Sequence, residues 1–198
     1  MSDSPDGTPQ AAARRTVILA SASPRRAALL RKAGPEFAAM QIMPSDAEEG
    51  ADPLENARLK AESIAAAHPR AIVIGADTVI RFGGETIGKP ADLDDARAIL
   101  AKLSGRTHDV VTGVCVRCLE NDILVRFEEA THVTFRVLTT EAIEKYIQAV
   151  NVLDKAGAYA IQEHGDEIIQ GIDGSLTNVI GLPVERLTET VRYLLKLA

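Results

Sequence analysis

Short apolar runs alternate with amphipathic segments along the chain, and this pattern predicts a mixture of strands and helices. The predicted strands are short, aliphatic or β-branched, and bounded by small polar residues: residues 16–20, 37–43, 71–76, 79–82, 85–87, 106–119, 123–138, 167–172 and 176–180. Within residues 123–138 the apolar side chains share one face, as in an antiparallel strand with one solvated side. That face carries Ile123, Val125, Phe127, Val133, Phe135 and Val137.

Five helices are predicted from start and stop signals and from apolar residues spaced three and four apart. They begin at or next to Ser23, Asp52, Asp92, Thr140 and Gly181. Glycines at positions 34 and 105 are expected to end the first and the third of them. The predicted core face of the third helix carries Leu93, Ala96, Leu100 and Leu103.

The first strand runs directly into the first helix through Ser21 and Ser23, and Arg25 and Arg26 follow in the first helical turn. Free backbone N–H groups, two hydroxyls and two guanidiniums at a helix N-terminus form an anion site that suits phosphate. The alternative is that both arginines simply form a solvated face. Because two cations in a first turn are electrostatically disfavoured, their placement favours a bound negative charge.

The most apolar strand, residues 71–76, is followed at once by Asp77 and Thr78. A carboxylate at the end of a buried strand is costly without a partner, so Asp77 is expected to be a metal ligand, a catalytic base or a buried cap. Lys60 lies in the second helix, slightly off its apolar stripe. It is either a solubilising surface residue or a residue at a cleft rim that reaches a ligand.

Residues 83–89 match the opening of a phosphate-binding P-loop, but the next residue is Pro90 and not the Ser or Thr that would bind Mg²⁺. The context is also wrong, because Gly83-Gly84 is typical of a two-residue hairpin turn. We therefore reject a P-loop. Lys89 is retained as a lysine on a turn that is free to point into a cleft.

The chain has 198 residues, which suffices for one domain that buries roughly 70% of its unfolded surface. Residues 1–13 are polar and predict a disordered tail, and no linker divides residues 14–198. The net charge of −6 and the 4% aromatic content argue against a nucleic-acid-binding surface. No apolar run reaches membrane-spanning length, so we expect a soluble, cytoplasmic protein.

Two cysteines, Cys115 and Cys118, lie within one predicted strand. At that spacing they point to opposite faces of the strand, and no second Cys or His pair completes a metal site. We expect buried thiols.

Several motifs follow one another in an order that resembles the Maf family of nucleotide pyrophosphatases, also described as septum-formation inhibitors. The segments that carry the resemblance cover nearly everything from Thr16 to the last helix: LASASPRR from Leu19, GADT from Gly75, GKP from Gly88, LSGRTH from Leu103, DKAGAY from Asp154 and NVIGLP from Asn178. The resemblance implies an α/β fold with a central mixed, twisted sheet, flanking helices and two lobes around a cleft. It also implies a homodimer and Mg²⁺- or Mn²⁺-dependent cleavage of a nucleoside triphosphate to monophosphate and pyrophosphate.

The resemblance also assigns roles to residues. Asp77 would be the general base or a metal-held acid, with Glu48 as a second acid near the metal. Phosphate partners would be Ser21, Arg25, Arg26, Lys60 and Lys89. Thr78, Gln162 and one arginine would bear on the choice of base. From the residue types alone, Ser23 and Lys155 are further candidate phosphate partners and Asp154 is a further candidate acid.

Paired arginines after Ser-Pro, the Asp77-Thr78 pair and residues 154–162 resemble the branch that acts on dTTP and UTP. The branch that acts on 7-methyl-GTP has a bulky residue after Ser-Pro and Asp-Gln in place of Asp-Thr. Two hypotheses for function stay open: a pyrophosphohydrolase, and a nucleotide-sensing regulator of division with little catalysis. RNA binding is disfavoured by the acidic charge balance.

Overall fold

The computed structural model describes residues 15–47 and 50–196, and its central feature is a seven-stranded mixed sheet with strand order β2-β1-β3-β5-β6-β7 and β4 beside β3. The strands are β1 (Val17–Ala20), β2 (Gln41–Ile42), β3 (Ile72–Phe82), β4 (Glu85–Ile87), β5 (Thr107–Cys118), β6 (Ile123–Phe135) and β7 (Ile169–Asp173). β1 pairs in parallel with β2 and β3, and the other pairs are antiparallel. The predicted mixed α/β fold is confirmed.

Seven α-helices and two short 3₁₀ helices (Pro35–Phe37 and Ala156–Ala158) flank the sheet in the described residues. The α-helices are α1 (Pro24–Ala33), α2 (Pro53–Ala65), α3 (Leu93–Leu103), α4 (Thr140–Ala149), α5 (Gly165–Ile168), α6 (Leu176–Ile180) and α7 (Val184–Lys196). The predicted caps Ser23, Asp52 and Asp92 all accept hydrogen bonds from the first turns of α1, α2 and α3. Local cap chemistry therefore fixes where these three helices begin.

β3 is one continuous strand, although two separate strands, residues 71–76 and 79–82, are predicted from the sequence. On one edge it pairs first with β1, through residues 72–75, and later with β4, through residues 80–82. Residues 76–79 have no strand partner on this edge within the described part of the chain. Asp77 therefore lies in the middle of a strand, beside a gap between two neighbours, and not at a strand end.

The buried side chains of the described residues form three hydrophobic clusters, and the division into two lobes stays a prediction. One cluster packs β4, α3, α4 and the far ends of β3, β5 and β6, and includes Ile80, Leu100, Phe135 and Tyr146. The other two lie on opposite faces of the β1 half of the sheet. One packs under α1 and α7, with Leu19, Leu30 and Val191, and the other under α2, with Ile18, Ala57 and Val73.

The prediction of a strand over residues 37–43 is wrong for most of its length. Only Gln41–Ile42 form a strand, and Phe37 ends a 3₁₀ helix that begins at Pro35. Phe37 is fully buried in the cluster beneath α1 and α7. Tertiary burial of this aromatic ring outweighs its strand propensity.

Residues 176–180, predicted as a strand, form helix α6. The Ser175 side chain accepts a hydrogen bond from the N–H of Asn178 at 3.1 Å, and Gly181, with φ 125°, ends the helix. A short apolar run cannot distinguish the two structures, and the cap decides here. Residues 167–168, predicted to begin the preceding strand, belong to α5.

Two side chains assigned to the core are exposed, Leu93 at 44% and Val137 at 85%. Leu93 is the first residue of α3, and Val137 follows the end of β6 at Phe135. The Gly83-Gly84 hairpin is confirmed, with φ values of 61° and 83° that suit a primed turn. Cys115 and Cys118 are buried free thiols, as predicted.

None of the helices in residues 15–47 and 50–196 is both long enough and apolar enough to cross a bilayer. The predicted disordered tail, residues 1–13, lies outside the described residues, as does Glu48. The single domain over residues 14–198 stays a prediction.

Candidate functional site

A cavity of about 360 Å³ opens at the edge of β3 where residues 76–79 have no strand partner in the described part of the chain. Its walls include eleven of the twelve residues selected from the sequence: Ser21, Ser23, Arg25, Arg26, Lys60, Asp77, Thr78, Lys89, Asp154, Lys155 and Gln162. The twelfth, Glu48, lies outside the described residues. The segments that carry these eleven are far apart in sequence, so the fold brings them to one cavity.

Asp77 lies on the face of the sheet that α2 covers, and its side chain is only 11% exposed. Lys60 donates to one carboxylate oxygen, with 2.9 Å between Nζ and Oδ1, and Asn56 donates to the other, with 2.9 Å between Nδ2 and Oδ2. The Lys60 side chain is itself 9% exposed, so it is neither a surface lysine nor a residue of the rim. The charge and hydrogen-bond donors that a buried carboxylate needs thus come from two residues four positions apart on one helix.

Two glycines allow α2 to approach Asp77 this closely. Gly75 shares the face of Asp77 on β3, and a Cβ there would lie 2.1 Å from the carbonyl oxygen of Ala57. Gly113 is the cross-strand partner of Asp77, and a Cβ there would lie 2.4 Å from the backbone of Pro53. Any larger residue at either position would push the helix, and with it the donors to Asp77, away from the sheet.

Arg26 lies on the opposite face of the sheet, where α1 meets the loop after α6. Its guanidinium donates to the carbonyl oxygen of Gly181 at 2.8 Å, to Oγ1 of Thr78 at 2.9 Å and to Oγ of Ser21 at 3.2 Å. The Thr78 hydroxyl also contacts Oγ1 of Thr112 at 2.9 Å. Arg26 therefore orients Thr78 and holds the wall of the cavity together.

Asp154 and Lys155 form the wall opposite α1. The Lys155 ammonium is buried and donates to the carbonyl oxygen of Asn151 at 2.6 Å and to Oδ1 of Asp154 at 2.8 Å. Burial opposes ionisation of Asp154, but the hydrogen bond and charge of Lys155, together with the charge of Arg25 and a backbone hydrogen bond, outweigh it and lower the pKa of the carboxyl. Lys155 thus organises its own loop and keeps Asp154 charged.

Arg25 and Lys89 are the cations most open to a ligand. Arg25 is half-buried and has one long ion pair, 4.0 Å from Asp154. Lys89 is exposed, and within residues 15–47 and 50–196 it has no ion-pair partner. Lys89, with Asp77 and Thr78, also lines a second cavity of about 330 Å³ that adjoins the first. A polyanion in the cavity would meet both charges and the hydroxyls at the start of α1.

The inner wall carries Tyr159, whose hydroxyl lies 2.9 Å from Nε2 of the buried His108. Burial lowers the pKa of His108 to about 4. At neutral pH this pair is uncharged, and it forms a rigid part of the wall beside the charged groups. Gln162, which is exposed, lies at the outer end of the same wall and offers both a donor and an acceptor.

Three or more His, Cys, Asp or Glu side chains that could hold a metal ion do not come together anywhere in residues 15–47 and 50–196. The described residues therefore do not form an all-protein metal cage. Asp77 is a carboxylate in the wall of this cavity, with cationic side chains around it. This arrangement fits a hard cation that is held by one or two carboxylates together with a ligand's phosphates, as Mg²⁺ often is.

Asn56, Gly75 and Gly113 were not assigned a role from the sequence. The sequence around Asn56 does not indicate a buried role, because an asparagine within a helix usually points to solvent and contributes little to helix stability. The two glycines occur inside predicted strands, where a glycine signals close backbone approach without saying to what.

The sheet, the gap in its pairing and the cavity with cationic side chains in its walls define an α/β protein with a cleft at the open edge of β3. The family model described as Maf-like protein matches residues 16–194. The chain belongs to the Maf family.

Three bacterial relatives named dTTP/UTP pyrophosphatase match most of this chain. The protein of Akkermansia muciniphila is 46% identical over 173 residues, which are 85% of this chain and 90% of the relative. That of Shouchella clausii is 41% identical over 184 residues, 89% of this chain and 94% of the relative. That of Myxococcus xanthus is 42% identical over 183 residues, 90% of each.

Proposed function

We propose that this protein hydrolyses dTTP and UTP to the nucleoside monophosphate and pyrophosphate. The observation that carries the proposal is that Asp77, held by two donors, shares one cavity with Arg25, Lys89 and the hydroxyls before α1. Water attack on the α-phosphorus of a triphosphate needs an oriented acid or base and neutralised phosphates, and this set offers both. The names of the relatives support the choice of substrate.

In this proposal Arg25 and Lys89 bind the β- and γ-phosphates, since they are the cations that the protein leaves most open. Ser21 and Ser23, at the N-terminus of α1, add hydroxyl and backbone contacts to the same groups. Lys60 and Lys155 act less directly, because the ammonium of each is buried against a carboxylate. Pyrophosphate then leaves as a stabilised anion.

Asp77 in this scheme orients the attacking water and accepts its proton. As the water oxygen bonds to the α-phosphorus, the bond from that phosphorus to the bridging oxygen breaks and pyrophosphate departs. Asp77, with Glu48 as the proposed second acid, would hold a divalent metal, Mg²⁺ or Mn²⁺, and that metal would supply charge neutralisation for the phosphates. Lys60 stays paired with the Asp77 carboxylate throughout.

The proposed readers of the base are Thr78 and Gln162, with Arg26 holding the Thr78 hydroxyl. An amide offers one donor and one acceptor, which matches the alternating edge of uracil or thymine. A cavity wall that is fixed by Arg26, Thr78 and the Gly181 carbonyl would discriminate more strongly than a mobile one.

The test is to incubate the purified protein with dTTP, UTP, CTP and GTP in the presence of Mg²⁺ or Mn²⁺, and to measure monophosphate and pyrophosphate. We expect product from dTTP and UTP and little from GTP. Binding without product would instead favour a nucleotide-sensing regulator. Asp77→Asn should stay folded and lose pyrophosphate release, and near-wild-type turnover in that variant would refute its role.

The homodimer implied by the family resemblance is a separate proposal. Size-exclusion chromatography with light scattering on the full chain tests it, since a mass near that of one chain would exclude it.

A further inference from the structure

Asn56 is a buried side chain that the proposed function has not yet explained. It is 2% exposed, near the start of α2, and its amide makes three hydrogen bonds. Oδ1 accepts from the N–H of Gly50 at 2.7 Å, and Nδ2 donates to the carbonyl oxygen of Gly50 at 2.9 Å and to Oδ2 of Asp77 at 2.9 Å. One amide thus connects a loop backbone to the carboxylate.

The backbone of Gly50 determines which end of the amide faces Asp77. If the amide were turned over, its oxygen would face the Gly50 carbonyl oxygen and the Asp77 carboxylate, and its N–H groups would face the N–H of Gly50. Three attractive contacts would become repulsive. The side chain is therefore locked with its donor toward Asp77.

The hydrogen bonds from Asn56 and Lys60 restrict rotation of the Asp77 carboxylate. Lys60 holds Oδ1 while Asn56 holds Oδ2, so rotation of the Asp77 side chain would break a charge-assisted bond at each oxygen. Because α2 is fixed against the strand at Gly75 and Gly113, both donors have a rigid base. A group held in this way loses little orientation entropy when the reaction begins.

We propose that Asn56 is a positioning residue for the hydrolysis, which fixes the orientation of the Asp77 carboxylate and couples it to the loop at Gly50. The inference rests on the proposed function, in which Asp77 acts on the attacking water. Asn56 itself touches neither substrate nor water in this scheme. Its loss should therefore lower turnover more than substrate binding.

Two variants test the role. Asn56→Leu keeps the bulk of the side chain but removes all three hydrogen bonds, and Asn56→Asp keeps an acceptor for Gly50 while presenting an oxygen to Oδ2 of Asp77. We expect kcat with dTTP to fall about 10- to 100-fold in both, with KM within about 3-fold of wild type. The matched control is Asn178→Leu, because Asn178 is equally buried and donates to Val110, Glu129 and Thr131, away from Asp77.

The control should lose stability but keep kcat within about 3-fold when measured at a temperature where it is folded. The inference is overturned if both Asn56 variants retain kcat within about 3-fold, if the loss is entirely in KM, or if the control loses kcat equally. None of these results changes the outcome of the substrate assay or of the Asp77→Asn test, so the proposed function is tested independently of this inference.

A second measurement needs no activity. In urea unfolding, Asn56→Leu should lower the folding equilibrium constant at least about 5-fold more in the wild-type background than in an Asp77→Ala background, because the two side chains are in contact. Asn178→Leu should have the same effect in both backgrounds. Equal effects of Asn56→Leu in both backgrounds would show that the amide does not act on Asp77.

Discussion

Lowering the pH from 7 to 5 is expected to destabilise this protein through His108. The ring is 2% exposed and packs edge-on against Phe135 and Tyr159, with centroid distances of 4.9 Å and 5.5 Å. Its Nδ1 has no hydrogen-bond partner in the described residues, and Nε2 bonds to the Tyr159 hydroxyl. Burial lowers the pKa of His108 from 6.5 to about 4, against the weaker opposing effect of the Asp109 charge.

The size of the effect follows from proton linkage. Between pH 6.5 and pH 4 the unfolded chain binds a proton at His108 that the folded protein does not bind, so stability is present above pH 6.5 and is lost as the pH falls toward 4. With these two pKa values, the free energy of unfolding should fall by about 2 kcal/mol between pH 7 and pH 5 from this residue alone. For a chain of this length that corresponds to about 4–8 °C in Tm.

Urea unfolding of wild type and His108→Gln at pH 7 and pH 5 isolates the contribution of His108 to the pH dependence of the free energy of unfolding. The glutamine does not titrate, so the variant should lose about 2 kcal/mol less than wild type over this interval, whatever its stability at pH 7. Asn178→Leu is the control, because it removes buried hydrogen bonds but no titrating group, so it should lose stability and keep the wild-type pH dependence. If His108→Gln loses as much stability as wild type, the buried neutral histidine is not the cause.

Two further predictions concern the residues that position Asp77. Gly75→Ala should lower the free energy of unfolding by about 1–3 kcal/mol and reduce activity, because its Cβ would overlap the Ala57 carbonyl oxygen. The control is Gly171→Ala, which has open space around it and should leave thermal unfolding nearly unchanged. Lys60→Met should lower the free energy of unfolding, measured in urea, by about 1–3 kcal/mol. This is less than the loss expected when one partner of a fully buried ion pair is removed, because the pair borders an open cavity. Adding Asp77→Asn should restore part of the lost stability. Equal costs with and without Asp77→Asn would exclude an uncompensated charge as the cause.

Features that depend on neighbouring residues could be predicted from the sequence. Ser23 and Asp92 cap their helices through hydrogen bonds to residues three positions on, and Gly83-Gly84 forms its turn without help from the rest of the chain. Strong alternation likewise identified β6 to within three residues at its end. Such signals are local and survive in any fold that includes the segment.

Features that depend on distant contacts could not be predicted from local pattern. Phe37 lies in a 3₁₀ helix because its ring is buried in the cluster beneath α1 and α7, and the residues next to it in sequence do not indicate this burial. Lys60 was selected from the sequence as a phosphate partner, but its pairing with Asp77, like that of Asn56, joins residues about twenty positions apart on different elements. Gly113 matters only because the register of β5 places it opposite Asp77.

The gap in the pairing of β3 explains how these residues form one site. Successive residues of a strand point to opposite faces, so Asp77 and Thr78 would normally be separated by the sheet. Because β3 pairs with β1 only as far as Gly75, and its pairing with β4 begins only at Ile80, both residues reach the same cavity at the open edge. α2 therefore supplies the donors to Asp77 from one face, while α1 supplies Arg26 to Thr78 from the other. The geometry of the site thus depends on packing against both faces, which is why the sequence identifies its charged residues but not the partners that hold them.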